Sequence, residues 1–231
     1  YGSFPFITKY NNFTDDSKDY LQGIFDTILN KDIARRLNIA DTVSLENVTK
    51  FLLHSIGNKI SPTKIANTLK SAGKSVDQKT VDKYIKGLVD SMLIYEAGRY
   101  NIKGKQFLST QSKYYVVDVG MRNALVKSSE SDIGHILENI VYLELKRRYK
   151  NVYVGEIDSG EVDFVSVNDN KYEYYQVSAT TLDENTLKRE LAPFGKIKDN
   201  YPKYLLTLDD VFSNADYNGV QKINVLEWLL K

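Results

Sequence analysis

The sequence predicts a mixed α/β protein in which a helical module precedes an α/β layered domain. Helical periodicity dominates residues 45–91, and from residue 133 the order becomes helix, strand, strand, helix, strand. The charge changes sign between the same two segments. Residues 45–130 carry 14 Lys and Arg against 7 Asp and Glu, whereas residues 131–231 carry 12 against 17. We therefore expect two modules with different surfaces.

The composition excludes several kinds of site. The 231 residues are 42% hydrophobic and 26% charged, as in ordinary globular proteins. The absence of cysteine excludes disulfides, thiolate zinc sites and cysteine nucleophiles, and two histidines argue against a multi-histidine metal site. No apolar run approaches the roughly 20 residues that span a bilayer, and the first residues do not resemble a signal peptide. We expect a cytoplasmic protein without membrane contact.

Residues 1–44 contain one short helical stretch, from Tyr20 to Leu37. The segment looks too short and too polar to fold alone. We interpret it as a linker or lid remnant that joins the chain to an upstream domain.

Residues 45–130 have the element order of a winged helix. The first helix keeps apolar spacing from Val48 to Ile56, Ser61-Pro62 begins a second helix, and Asp77 caps a third. A strand, a turn at residues 97–99, a basic segment and a second strand over residues 114–119 follow. Three helices and then a hairpin is the order of this helix-turn-helix variant.

This module offers a cationic surface for nucleic acid. The third helix, residues 77–91, would act as the recognition helix and present Lys79, Lys83 and Lys86. The wing would present three further cations to phosphates: Arg99, Lys103 and Lys105. The alternative is the solvated face of a protein-interaction module, because Asp82 and Asp90 dilute the positive charge.

One segment resembles a nucleotide-binding motif but lacks a glycine that the motif requires. Residues 72–75 read Ala-Gly-Lys-Ser, like the end of a P-loop, but Thr68 stands where the leading glycine is required. The segment also lies between two helices instead of after a strand. We expect no ATP site in this chain.

The acidic segment, residues 131–231, places polar side chains on neighbouring elements. A helix over Ile133–Arg148 is followed by strands over residues 161–167 and 172–178, a helix over about 183–198 and a strand over 204–208. Glu138 lies at the edge of the apolar helix side, and Asp163 and Gln176 lie in mid-strand, where aspartate is disfavoured. Acids in this order can converge on one Mg²⁺. Each acid could also be a rim residue, and Glu144 lies nearer the centre of the apolar helix side.

The chain resembles the C-terminal half of a group of prokaryotic AAA-type ATPases. Those proteins carry a P-loop ATPase, a winged helix and a C-terminal restriction-endonuclease-like domain of unknown function. The resemblance rests on these segments: residues 1–5, 31–33, 113–122, 137–139, 161–165, 176–178, 188–191, 197–204 and 228–230. It covers nearly the whole chain.

The resemblance implies a PD-(D/E)xK nuclease core from about Gly134 to Ser178. Glu138 and Asp163 would hold the metal, Gln176 would take the third position, and Ser178 would stand where the catalytic lysine belongs. Either a migrated cation replaces that lysine, from Lys188, Arg189 or Lys171, or the site is weak or inactive. The resemblance also implies an upstream ATPase domain, through which ATP would act and an oligomer would form.

Three functions follow as hypotheses. The first is a nucleic-acid-binding module of an ATPase with a degenerate or weakly active nuclease fold. The second is an active Mg²⁺-dependent endonuclease on structured DNA or RNA. The third is a protein-interaction module that regulates the ATPase.

Overall fold

The computed structural model describes residues 2–7, 14–127, 132–158, 160–169 and 171–231. It is a mixed α/β protein, which confirms the predicted fold class. The chain forms two compact units. Unit 1 comprises Tyr1–Glu96 and Lys113–Ser129, and unit 2 comprises Ala97–Ser112 and Glu130–Lys231. The chain therefore leaves unit 1 in the middle of one strand and returns in the middle of the next.

Unit 1 is mainly helical. Its elements are α1 (Asp15–Asp26), a π-helix (Thr27–Ala34), α2 (Thr42–His54), β1 (Lys59–Ile60), α3 (Pro62–Ser71), α4 (Gln78–Asp90) and α5 (Val119–Leu125). The predicted caps are present, since Ser61 accepts the backbone N–H of Lys64 and Asp77 accepts that of Thr80. Val119 begins a helix, so the strand predicted over residues 114–119 ends earlier, at Val116.

The segment interpreted as a linker contributes to the core of unit 1. Phe25, Leu29 and Ile33 are 0–2% exposed and pack in one cluster with Leu45 and Leu88. Their spacing of four residues places them on one side of α1 and the π-helix. The polar residues of this segment lie on the opposite side.

The start of the chain contacts the start of α5 in unit 1. The backbone N–H and the hydroxyl of Ser3 both donate to the carboxylate of Asp118, which also caps α5 by accepting the N–H of Met121 at 2.6 Å. Gly2 has φ +91°, and a Cβ there would overlap the same carboxylate. Glycine at position 2 is thus required by backbone conformation and by space.

Unit 2 is built on a mixed sheet. It contains the second part of β2 (Ile94–Asn101), the first part of β3 (Gln106–Val116), and the whole of β4 (Asn151–Ile157), β5 (Gly160–Asn168), β6 (Lys171–Ser178), β7 (Lys203–Thr207), β8 (Asp216–Tyr217) and β9 (Val220–Asn224). From β2 the order is β2-β4-β5-β6-β7-β9-β8. The β2–β4, β6–β7 and β7–β9 pairs are parallel, and the β4–β5, β5–β6 and β8–β9 pairs are antiparallel.

Helices lie on both faces of this sheet. They are α6 (Ile133–Arg148), α7 (Glu184–Leu191) with a following 3-10 turn (Phe194–Lys196), and α8 (Val225–Leu229). The Tyr175 ring contacts Trp228 of α8, whereas the preceding Tyr174 packs with Phe194 and Ile197. Consecutive strand residues point to opposite faces. The helix predicted over about 183–198 stops at Leu191, because Pro193 cannot continue its hydrogen bonding.

The hairpin assigned to the winged helix belongs partly to unit 2. Arg99 and Tyr100 pair in parallel register with Val154 and Gly155 of β4, a strand that the sequence did not predict. Tyr100 and Ile102 are buried in the apolar cluster of unit 2. Residues 97–112 are therefore held by that sheet, which accounts for their separation from the helical unit.

None of the helices in the described ranges has both the length and the apolar composition of a bilayer-spanning helix.

Close packing in unit 1 gives a test of the fold. At Gly87 in α4, a Cβ would come within 2.7 Å of Leu37 and 2.9 Å of Ile33, whereas at Gly23 in α1 it would meet nothing within 4 Å. We expect Gly87→Ala to lower the free energy of unfolding by about 1–3 kcal/mol through overpacking. Gly23→Ala should raise it by roughly 0.5–1 kcal/mol through helix propensity. Urea denaturation measures both, and shifts of the same sign would contradict this packing.

Candidate functional site

A cavity of about 460 Å³ opens in unit 2 between the start of α6, the end of β6 and α7. Its lining residues are Gly134, His135, Glu138, Asp163, Gln176, Val177, Ser178, Ala179, Thr180, Thr186, Arg189 and Glu190. All four residues that the sequence singled out for chemistry line it: Glu138, Asp163, Gln176 and Ser178. Helix and strands thus bring these side chains to one place.

A β-bulge in β5 directs Asp163. Tyr153 pairs with Val165 and Gly155 pairs with Val162, so Asp163 and Phe164 together face the single residue Val154. A bulge of this kind changes the direction of a side chain. Phe164 contacts Tyr142 of α6, and the Asp163 side chain lines the cavity. The bulge explains how an aspartate is accommodated within a buried strand.

The β5–β6 ladder ends beside the cavity, and side chains replace its hydrogen bonds. The last registered pair there is Phe164 with Tyr175. Beyond it, the Asp163 backbone N–H donates to Gln176 Oε1 at 3.2 Å, and the Val177 N–H donates to Asp163 Oδ2 at 2.9 Å. Asp163 and Gln176 therefore satisfy buried main-chain groups in addition to facing the cavity.

Glu190 is a cavity acid that the sequence analysis missed. Gln176 Nε2 donates to Glu190 Oε2 at 2.9 Å, and the Arg189 guanidinium contacts Glu190 Oε1 at 2.9 Å. Glu190 is 9% exposed. The signal was available, because Glu190 falls three residues after Leu187, at the spacing of one helix face.

The two acids of α6 have different partners. Glu144 accepts from Arg147 and Arg148, each at 2.6 Å. The hydrogen bond from Arg147 and the charge of Arg148 hold the pKa of Glu144 below its ordinary value, although burial opposes them. Glu138 lines the cavity and lies 4.0 Å from His135 Nδ1. Glu138 is therefore the acid that faces the cavity.

The three cations proposed to replace the missing lysine differ in position. Arg189 lines the cavity, with its guanidinium on Glu190. Lys188 pairs with exposed Glu184 at 2.7 Å, and Lys171 begins β6 at the strand end opposite Ser178. Ser178 donates its hydroxyl to the Thr180 carbonyl at 2.9 Å.

The donor set fits a hard, hydrated cation better than a closed protein cage. Within the described part of the chain, no group of three or more His, Asp and Glu side chains is arranged to hold a metal ion. Glu138 and Asp163 both contribute carboxylate oxygens to the cavity. Mg²⁺ commonly uses one or two carboxylates and keeps several waters. These residues therefore fit Mg²⁺ on the chemistry of their donors.

A buried ion pair anchors the loop at the edge of the cavity. Lys222 Nζ lies 2.9 Å from Asp209 Oδ2, and the two side chains are 2% and 4% exposed. The backbone N–H of Thr181 donates to the same oxygen at 2.8 Å. Burial raises the pKa of Asp209, but hydrogen bonds from Thr180, Lys222 and Thr181 outweigh it and hold that pKa well below its ordinary value.

The six cations proposed to bind nucleic acid fall into two groups. Lys79, Lys83 and Lys86 are exposed along α4 in unit 1. The remaining three lie in unit 2 and have partners there. Arg99 pairs with Glu156 at 2.8 Å, Lys103 pairs with Asp158 at 2.8 Å, and Lys105 lies 5.7 Å from the Tyr172 ring centroid. The three cations predicted on the recognition helix therefore lie in unit 1, and the three predicted on the wing lie in unit 2.

Comparison with known proteins places part of the chain in a family. A model described as "Domain of unknown function (DUF8612)" matches residues 1–132, more than half of the chain. The chain belongs to this family. The match ends where α6 begins, so the cavity residues of this DUF8612 member lie outside it.

Curated relatives are uncharacterized proteins of greater length. One from Haemophilus influenzae is 37% identical over 231 residues, which cover 100% of this chain and 56% of the relative. Another, from Methanocaldococcus jannaschii, is 33% identical over 233 residues, which cover 97% of this chain and 50% of the relative. The chain thus spans about half the length of the curated relatives it matches. The crystal structure of protein VC1899 from Vibrio cholerae aligns with 87% of this chain and 53% of its own at 12% identity, with a TM-score of 0.27.

The buried ion pair predicts a pH-dependent stability. Folding lowers the pKa of Asp209, so the ionised carboxylate adds to the free energy of unfolding. This stabilisation is fully present above about pH 4 and is lost as the pH falls through the pKa that Asp209 has in the folded protein. Lys222→Met leaves the buried Asp209 carboxylate without its cation and should lower the free energy of unfolding by about 3–5 kcal/mol at neutral pH. The deficit should shrink toward pH 3, because the Asp209 carboxylate of the variant, buried without Lys222, protonates there whereas that of the wild type stays ionised.

Urea denaturation at pH 7, 5 and 3 tests this prediction. Lys188→Met is the matched control, because its partner Glu184 is exposed and the pair contributes little. Equal effects of the two substitutions at every pH would contradict the role assigned to Lys222.

Proposed function

We propose that the chain is the nucleic-acid-binding part of a larger protein. In this proposal unit 2 carries a nuclease-type site for a divalent cation that cleaves phosphodiesters weakly or not at all. The observation that carries the proposal is the convergence of Glu138, Asp163, Gln176 and Ser178 on one cavity. The resemblance described above adds an upstream ATPase domain, through which ATP would act and an oligomer would form. The relatives, about twice as long, are compatible with such a domain.

Glu138 and Asp163 would hold the cation. A bound Mg²⁺ supplies polarisation of a phosphodiester and a lowered pKa for an attacking water. Gln176 holds the ends of β5 and β6 at the required separation through its bond to the Asp163 N–H. Glu190 in turn fixes the orientation of the Gln176 amide.

Two observations support weak catalysis. Ser178 cannot carry charge, and the Arg189 guanidinium is engaged by Glu190. Removing one preorganised electrostatic group commonly costs about 10²–10³ in rate. Among the described residues that line the cavity, the acids proposed to hold the cation are present, whereas the Arg189 guanidinium is already paired with Glu190.

A second candidate function is an active Mg²⁺-dependent endonuclease. The position of Arg189 favours it, because this guanidinium lines the cavity whereas Lys188 and Lys171 have other surroundings. Movement of Arg189 away from Glu190 would make it the replacement for the lysine. The two candidates predict different cleavage rates for Ser178→Lys. The rate should rise if the site lacks a cation, and should change little if Arg189 already supplies one.

The charge distribution supports nucleic-acid binding by unit 1. Unit 1 holds 16 Lys and Arg against 12 Asp and Glu, whereas unit 2 holds 15 against 18. Lys79, Lys83 and Lys86 follow one another at helical spacing on α4, so they form one stripe. Such a stripe can follow phosphates along a groove. A regulatory protein-interaction role is the outcome that remains if this stripe has no affinity for DNA.

Cation binding and cleavage test the proposed site. Titration calorimetry with Mn²⁺ should show binding by the wild type and its loss in Glu138→Gln, with Glu144→Gln as the control acid on the same helix. Plasmid, single-stranded and branched DNA should be cleaved slowly or not at all with Mg²⁺ or Mn²⁺. Ser178→Lys should raise the rate by about 10²–10³ if the site lacks only its cation.

Each outcome has a defined meaning. Efficient wild-type cleavage that Asp163→Ala and Arg189→Gln both abolish would replace the weak-site proposal with the active endonuclease. Equal Mn²⁺ affinity in the wild type and Glu138→Gln would overturn the cation site.

Duplex affinity measured against salt tests the α4 stripe. Lys79→Ala, Lys83→Ala and Lys86→Ala combined should flatten the slope of log K against log salt by about three, because each phosphate contact releases close to one counterion. The matched control replaces three exposed lysines of unit 1 elsewhere: Lys18, Lys31 and Lys50. An affinity that is absent or independent of salt would sink the nucleic-acid proposal for unit 1.

A further inference from the structure

A second surface of unit 2 lies outside the candidate site and combines aromatic rings with lysines. Its aromatic part consists of Tyr100, Phe107, Tyr153, Tyr172 and Tyr201. Its cationic part is a cavity of about 630 Å³ lined by Ile102, Lys103, Ile157, Asp158, Gly195, Lys196, Ile197, Lys198 and Asp199. We call these two parts together the aromatic–lysine surface.

Phe107 is the exposed ring of this surface. It is 68% exposed, yet its ring centroid lies 5.5 Å from that of Tyr100 and 5.0 Å from that of Tyr153. Tyr100 is itself buried and lies 6.0 Å from Tyr172. Because the buried Tyr100 ring and the partly buried Tyr153 ring contact Phe107 on one side, it presents an aromatic face to solvent on the other. An exposed aromatic face can stack on a planar ligand.

The lysine-lined cavity adjoins the rings. Ile102 follows Tyr100 by two residues, and both belong to one apolar cluster against which Ile157 also packs. Two residues of extended chain span about 6–7 Å. The rings and the cavity are therefore neighbours on one face of the sheet.

The charges of the cavity favour an anion. Its cations are Lys103, Lys196 and Lys198, and its acids are Asp158 and Asp199. Asp199 is already engaged internally, since it accepts the Tyr174 hydroxyl at 2.6 Å and the Tyr201 N–H at 3.2 Å. The Lys103–Asp158 pair is 76% and 69% exposed, so exchanging it for a phosphate contact costs little.

We propose that the aromatic–lysine surface binds single-stranded nucleic acid, with a base stacked on Phe107 and a phosphate held by Lys196 and Lys198. Stacking on exposed aromatic side chains beside a cationic groove is how proteins bind single strands without reading sequence. A duplex hides its base faces inside the stack and cannot make the Phe107 contact. This inference extends the proposed function, and rests on it for the nucleic-acid class, by assigning single strands to unit 2.

Fluorescence anisotropy with the full chain and a labelled 15-nucleotide oligo-dT tests the inference. Phe107→Leu keeps an apolar side chain but removes the ring, and should weaken binding about tenfold, the loss of one stacked base. Phe107→Trp should retain affinity. Phe212→Leu is the matched control, because Phe212 is also 68% exposed in unit 2 and lies in the loop after β7. Lys196→Gln with Lys198→Gln should flatten the salt slope by about 1.4.

Photocrosslinking gives a readout that a folding defect would not imitate. A 5-iodouracil strand should crosslink to peptides containing Phe107 or Tyr153. Crosslinks confined to α4, equal affinities of Phe107→Leu and Phe212→Leu, or no single-strand binding by the wild type would each overturn the inference. The α4 lysine variant should lose duplex affinity and keep single-strand affinity. If the wild type binds neither duplex nor Mn²⁺, the proposed function fails, whereas the single-strand result for Phe107 is read independently of both measurements.

Discussion

The architecture of the cavity depends on where the hydrogen bonding between β5 and β6 stops. Main-chain groups at the ends of these two strands are buried, and buried N–H groups need partners. The bulge at Asp163–Phe164 lies in the pairing of β5 with β4, at the point where the pairing of β5 with β6 ends, and the side chains of Asp163 and Gln176 supply acceptors there. The same bonds fix the direction of both side chains, so the cavity and the strand ends are built by one set of contacts.

This dual use makes Asp163 and Gln176 part of the fold as well as of the cavity. Replacing Asp163 or Gln176 removes a partner from a buried N–H and carries a cost in stability. Ser178 has only a local bond to the Thr180 carbonyl, so its identity is much less constrained by folding. Folding therefore constrains Asp163 and Gln176 more strongly than it constrains position 178.

The sequence predicts the regular elements well and the irregular ones poorly. Helical spacing and capping residues locate α4 and α6 to within a residue, and β-rich runs locate β5 and β6. The bulge has no periodic signal, because it arises from a register shift against β4, a strand whose own pattern is weak. Glu190 was missed because exposed polar neighbours mask its helical phase. The partners of Arg99 and Lys103 depend on a parallel pairing over more than fifty residues, which local patterns do not encode.

The interrupted path of the chain has a consequence for synthesis. Residues 97–112 leave the ribosome well before β4, the strand that pairs with β2, and about fifty residues separate Asn101 from its partner Glu156. At roughly 5–20 residues per second, this part of the hairpin waits several seconds for its neighbour. During that interval its edge is open to other chains. Two charged residues, Lys103 and Lys105, lie at the turn of this hairpin. Charged residues near an exposed strand edge discourage edge-to-edge aggregation.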